Sequence, residues 1–196
     1  MRFITLSLSA SLLILSGCTI KRSVVYPEKN IKVTTHQPRK LGQSQKKAYL
    51  AAVNAMRSRG RFCGTMHYYP AAQPLRWSDE LYRAAYEHSL DMGRSRQFSH
   101  EGSGKDSDRT AALNHPGKRS LLAERIKANS YKKRKFIGEN IAYGHYSLDT
   151  LMRKWIDSKG HCGNIMNPKF TDFAMARVST GGRIDYWTQV FASSYE

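Results

Sequence analysis

The sequence predicts an α+β domain. Three amphipathic helix signals, two of them opening on a serine placed as an N-cap, precede two strand-like runs joined at Gly181-Gly182 near the end of the 196 residues. The first helix is expected over residues 43–59. Ala48, Ala52 and Met56, with Leu50 and Val53, form an apolar stripe there, and Gly60 stands where a helix stops. Residues 61–76 contain Pro70 and Pro74 and read as a loop. Ser78 then caps a second helix, with Asp79 and Glu80 in the first turn, where the helix dipole favours acids. Leu81, Ala85, His88 and Met92 share one face of it, so His88 reads as a hydrogen-bonded core histidine rather than a ligand. Residues 93–97 end that helix.

Residues 101–108 are polar and glycine-rich, hence a loop. A short helix is expected around 121–127. The basic run Lys132-Lys133-Arg134-Lys135 reads as a solvated loop in preference to a docking patch. Ser147 caps a third helix through Trp155 and Ile156, with Leu148, Leu151, Met152 and Trp155 on its buried side. Residues 158–162 leave that helix, and 164–168 are turn-rich. The two strands are expected over 173–179 and 184–192 as a hairpin. Trp77, Trp155, Trp187, Tyr143 and Tyr186 are expected mostly in the core.

The first residues have a different character. Arg2 gives a positive start, residues 3–15 are apolar or small, and Leu15-Ser16-Gly17-Cys18 follows. This is the layout of a secretory signal, too short to span a bilayer comfortably. Leu-Ser-Gly-Cys also matches the bacterial lipobox, in which the cysteine is acylated before cleavage. The expected organisation is a signal peptide over 1–17, lipidated Cys18 with a flexible tether over 18–42, and one domain over 43–196. Thr19 after the cysteine, in place of Asp, favours the outer membrane, facing the periplasm, if the cell has two membranes.

The formal net charge is +17, which speaks to partners rather than fold. Nucleic acid is a poor partner for an exported chain. Anionic lipid, lipopolysaccharide phosphate or an acidic wall polymer fits better, against a plainly solvated basic surface. With Cys18 taken by lipid, Cys63 and Cys162 remain, an even pair that reads as a disulfide in an oxidising compartment; free thiols or a metal pair are the alternatives.

An ordered set of motifs runs through the domain. It comprises Val53-Asn54-x-x-Arg57, Pro74-Leu75-x-Trp77, Ala84-x-x-x-His88, Phe98-Ser99-His100, Gly138-Glu139-Asn140-Ile141-Ala142, Trp155-x-x-Ser158-x-Gly160-His161-x-x-Asn164-Ile165-Met166 and Tyr186-Trp187-Thr188-Gln189-Val190-Phe191. Together they resemble the CAP superfamily (cysteine-rich secretory proteins, antigen 5 and pathogenesis-related proteins), and its bacterial branch most closely, over roughly residues 44–192. The resemblance implies a three-layer α-β-α sandwich with a small, mostly antiparallel central sheet. It also strengthens the pairing of Cys63 with Cys162.

The resemblance further implies a cleft with two histidines and two glutamates. His100 and Glu139 match one of each. Ser158 stands where the second glutamate belongs and Tyr186 where animal and plant members have the second histidine, while bacterial members carry a histidine at the position of His161. His100, His161 and Glu139 have the donor types for a zinc ion, or for general acid–base work on a water. Hydrolysis needs in addition a nucleophile or metal-bound water and oxyanion donors, and Ser158 has no identifiable base beside it. A purely structural role for His100 and Glu139, tying loops together around the cleft, stands beside these. The favoured expectation is a binding module of the cell envelope for a small ligand, a lipid or a polymer. The alternative is a hydrolase acting on peptide, peptidoglycan or lipid ester.

Overall fold

The computed structural model describes residues 38–132, 135–181 and 184–193. The expected signal peptide, Cys18, most of the tether and Lys133-Arg134 lie outside these. Along the chain come α1 (Gln43–Arg57), β1 (Arg61–Cys63), β2 (His67–Tyr69), β3 (Arg76–Trp77), α2 (Asp79–Ser95), α3 (Arg109–Asn114), α4 (Leu122–Ala128), β4 (Ile137–Tyr143), α5 (Leu148–Asp157), α6 (Lys159–Met166), β5 (Asp172–Ser179) and β6 (Asp185–Ala192).

A four-stranded sheet in the order β3-β5-β6-β4 forms the middle layer. β5 with β6 and β6 with β4 are antiparallel, and only the short β3 runs parallel to β5. Both faces are covered, so the alternation of the strands divides two cores instead of separating core from solvent. Phe173, Met175, Trp187 and Phe191 meet Tyr49 and Val53 of α1, Leu151, Met152 and Trp155 of α5, and Ile165 and Met166 of α6. Ala174, Ala176, Val190 and Ala192 face Leu81, Ala84 and Ala85 of α2 and Ile126 of α4. The predicted α-β-α sandwich with a mostly antiparallel sheet is what forms.

Several local expectations change. In α1, Val53 is buried and Leu50, Ala52 and Met56 pack partly buried on the core as expected, but Ala48 is exposed and the other buried residues are Tyr49 and Arg57. Arg57 is wholly buried because its guanidinium donates to the carbonyls of Gln73, Ile165 and Asn167, a backbone latch that hydropathy cannot reveal. Residues 61–76 are not all loop: β1 and β2 form a small hairpin and β3 joins the main sheet. Residues 159–166 continue as helix α6 after a single extended residue, Ser158, at φ −91° and ψ 122°. The weak amphipathicity of α6 hides it, and it is held by burial of Ile165 and Met166 and by the Cys63–Cys162 disulfide, whose Cα atoms lie 5.4 Å apart. Trp155 and Trp187 are core, but Tyr143 is exposed and packs edge-on to Phe98. Residues at the end of the expected tether are docked: Leu41 packs on the core and the Tyr82 hydroxyl donates to the Arg39 carbonyl.

Candidate functional site

The Gly138-Glu139-Asn140 motif lies on β4, an edge strand. Each of its residues has a distinct job. Gly138 is glycine because a Cβ there would come within 2.8 Å of the Phe170 ring. Glu139 sits opposite Val190, so it points to the α2 face. Asn140 points the other way and ties α6 to the sheet: its amide donates to the carbonyl of His161 and to Gln189 and accepts from Asn164. The outer edge of β4 is closed by side chains, since Asn164 donates to the Glu139 carbonyl and Trp155 Nε1 to the Ile141 carbonyl. These bonds occupy backbone acceptors that an edge strand otherwise leaves open.

Glu139 is buried and both of its oxygens are engaged. Oε1 accepts from His100 Nδ1 at 2.9 Å, and Oε2 accepts from Arg125 Nη2 at 2.9 Å. Arg125 is also buried, and it donates to the carbonyls of Ser120 and His100, which fixes the loop that carries His100. His88 Nε2 lies 3.7 Å from Glu139 Oε1 but donates its proton to the Ser99 carbonyl at 2.9 Å. His88 is therefore the buried, hydrogen-bonded histidine expected, and it also forms the back wall of the site. Its Nδ1 is buried without a hydrogen-bond partner among the described residues.

The charges follow from this geometry. Burial pushes Glu139 up, but Arg125, then His88 and His100, outweigh it and hold the carboxyl at about 2, so it is ionised throughout the ordinary pH range. Burial pulls His88 down to about 4, which keeps it neutral. The hydrogen bond to Glu139 raises His100 above its ordinary value. With Nδ1–H spent on Glu139, the Nε2 of His100 is the nitrogen left to face outward, on a side chain 60% exposed.

His161 sits on α6, half-buried beside the Trp155 ring. Burial lowers its pKa, with the charge of His100 the smaller cause, and its backbone carbonyl accepts from Asn140, the residue after Glu139. Ser158 occupies the α5–α6 junction and its side chain does not cap α6. Tyr186 lies opposite Tyr143 on β6, two same-face positions along from Glu139 and against Gly93 of α2. Neither joins the Glu139 cluster. The hydrogen bonds described for His88 and His100 go to a carbonyl and a carboxylate, not to a hydroxyl or thiol.

Zinc on His100, His161 and Glu139 does not fit these residues. Both carboxylate oxygens of Glu139 are used by His100 and Arg125, and among the described residues no group of three His, Cys, Asp or Glu side chains is placed to hold a metal ion. The sequence did not single out Arg125, which neutralises Glu139. A lone arginine on a short helix carries no signal of that role, since its partner lies on a strand beyond a loop.

Fold and site together define a class. The chain matches the cysteine-rich secretory protein (CAP) family over residues 50–191 and belongs to that family. Among particular relatives, it is 30% identical over 123 residues to the uncharacterized protein YkwD of Bacillus subtilis (strain 168), a match covering 61% of this chain and 39% of that protein. In fold it is similar to an extracellular SCP-domain protein of Bacillus anthracis, at a TM-score of 0.51 and 20% identity, covering 80% of this chain and 45% of the other. It is also similar to an outer surface protein of Borrelia burgdorferi, at a TM-score of 0.50 and 19% identity, covering 63% of this chain and 80% of the other. The chain thus spans less than half the length of the two Bacillus proteins.

Proposed function

We propose that this chain is an exported, lipid-anchored CAP-domain protein that acts as a binding module of the bacterial cell envelope, with His100 and His161 as its ligand-facing groups. The signal-peptide layout of residues 1–17 and the lipobox cysteine Cys18 support export and anchoring. Relatives described as extracellular and outer surface proteins fit the same address.

One observation carries the reading. Glu139 is consumed by Arg125 and His100, which leaves an oriented, exposed imidazole at His100; His161 and the exposed Phe98–Tyr143 pair are the further groups assigned to the ligand in this reading. The hydrogen bonds described for His88 and His100 reach no nucleophile. Such a set suits a ligand with an anionic or hydrogen-bond-accepting group beside an apolar or ring surface. The envelope components with that chemistry are anionic lipids and wall polymers, which the +17 charge also favours.

A second reading has its own support. A buried carboxylate on the Nδ1 side of an imidazole is the arrangement that orients histidine as a general base, and His100 with Glu139 has it. That favours a hydrolase acting on peptide, peptidoglycan or lipid ester. Co-sedimentation of the full chain with insoluble peptidoglycan, with analysis of the supernatant for released fragments, separates the two. The binding reading expects saturable sedimentation, weakened by His100→Ala together with His161→Ala, and no fragments. Fragment release that His100→Ala abolishes overturns it in favour of the hydrolase. Absence of any His100-dependent binding, with anionic vesicles tried alongside, overturns it as well.

A further inference from the structure

The β1–β2 hairpin has two unlike faces. Cys63 faces inward and is bonded to Cys162 of α6, which pins the hairpin to the domain. Phe62 and Tyr68 pair directly across the hairpin and face outward, with ring centroids 5.2 Å apart. They are 62% and 56% exposed, and Met66 in the connecting turn is 91% exposed. Gly64, at φ +74°, lets the turn form. Scattered exposed apolar residues are ordinary, but two aromatics and a methionine on one short, covalently fixed hairpin are not.

The electrostatic surroundings say what covers this face. No aspartate or glutamate occurs between Glu28 and Asp79, and Arg59 precedes the hairpin by two residues. The Lys159 side chain lies against Gly64 at the turn. An apolar tip with Lys159 against its turn, on a stretch of chain free of carboxylates, and with aromatic rings that suit a boundary between water and hydrocarbon, matches an anionic bilayer interface. A protein partner of the same shape needs no such exclusion of carboxylates over so long a stretch of chain.

We propose that the β1–β2 hairpin is a membrane-docking tip, inserting Phe62, Met66 and Tyr68 into the interface of an anionic phospholipid bilayer while Arg59 and Lys159 meet the headgroups. The site is distinct from the His100 cleft and does not depend on it. Docking at this tip fixes how the domain is oriented over the membrane, which an N-terminal anchor alone leaves free.

The test reads depth at the hairpin itself, so it is unaffected by whatever the N-terminus does. Met66→Trp is made in the full chain, and its extra emission over the wild type is followed on vesicles of brominated phosphatidylglycerol mixed with phosphatidylcholine, and on brominated phosphatidylcholine alone. The proposal expects a blue shift and quenching on the anionic vesicles only. Arg59→Glu with Lys159→Glu should weaken that response roughly tenfold or more. Extra emission that stays solvent-like on both vesicles overturns the proposal, and so does equal quenching on both. Sedimentation equilibrium of the wild type and of Phe62→Ser with Tyr68→Ser covers the other occupant: a dimer that the double substitution dissolves makes this face a protein interface and overturns docking to lipid.

Discussion

The two faces of the central sheet are built from the same strands and serve opposite ends. Toward α1, α5 and α6 the strands present Phe173, Met175, Trp187 and Phe191, and the layer is closed by a disulfide. Toward α2 and α4 they present Ala174, Ala176, Val190 and Thr188, small enough for α2 to lie close and for Ser89 to hydrogen-bond Thr188. Into that close approach the protein places Glu139, Arg125 and His88. One face is stabilised by apolar burial and a crosslink. The other holds a buried charged network whose outcome is the orientation of His100. The apolar core with its crosslink and the network that orients His100 are thus separated by the two-residue period of a β-strand, although His161 comes from α6 of the first layer.

Substitutions can break this comparison, and the largest expected effects fall on both faces at once. Arg125→Met leaves Glu139 as a buried, uncompensated charge and should cost roughly 3–5 kcal/mol. Trp155→Ala on the opposite face should cost about the same through lost burial and a cavity. Urea unfolding separates the causes: adding Glu139→Gln should recover part of the Arg125→Met loss and none of the Trp155→Ala loss. Equal behaviour of the two backgrounds would dissolve the distinction between the faces.

Replacing Cys63 and Cys162 together by serine opens a loop of sequence separation 99, which chain entropy values at about 4–5 kcal/mol at most, and less where strain or residual structure intervenes. Thermal unfolding with and without reductant measures it. The loss should leave the His100–Glu139 bond in place, because the disulfide belongs to the other face.

The pH dependence belongs to the polar face. His88 titrates at about 4 when folded against an ordinary 6.5, so the unfolded chain binds the extra proton between those values and stability declines as pH falls from 6.5 toward 4. Glu139 titrates at about 2 against 4.5, so its contribution is complete above 4.5 and is lost as pH falls through that value toward 2. His100, raised above 6.5, adds a contribution present below 6.5 that fades as pH rises through its folded value. Urea midpoints should therefore begin to fall below pH 6.5, earlier than carboxylates alone would give. A flat profile from 6.5 to 4.5 would contradict the buried, neutral state of His88. The smallest effect should come from His100→Ala, at about 1 kcal/mol or less, because an exposed ion pair contributes little. Its consequence should appear in ligand binding instead.

The fold was legible where local chemistry speaks. Ser78 and Ser147 cap their helices as read, through the backbone N–H groups of Leu81 and Thr150. Two strand-like runs on either side of Gly181-Gly182 located the hairpin, and the family resemblance carried by the ordered motifs indicated the layers. What stayed hidden depends on partners distant in the chain. α6 is held by Cys63, Asn140 and its buried end rather than by its own periodicity. Arg57 looks like a surface residue until the carbonyls of residues 165 and 167 come to it. At the site, His100 and Glu139 were legible as a motif pair, while Arg125 was not, and it is Arg125 that removes Glu139 from the ligands a metal could use.

The central claim is that an ionised Glu139, fixed by Arg125, holds the Nδ1–H of His100 and leaves Nε2 facing outward. Nitrogen-15 NMR titration of the His100 imidazole tests it most directly. The account predicts that the neutral ring carries its proton on Nδ1 and that its pKa lies above 6.5. A neutral ring protonated on Nε2, titrating at or below 6.5, would contradict it.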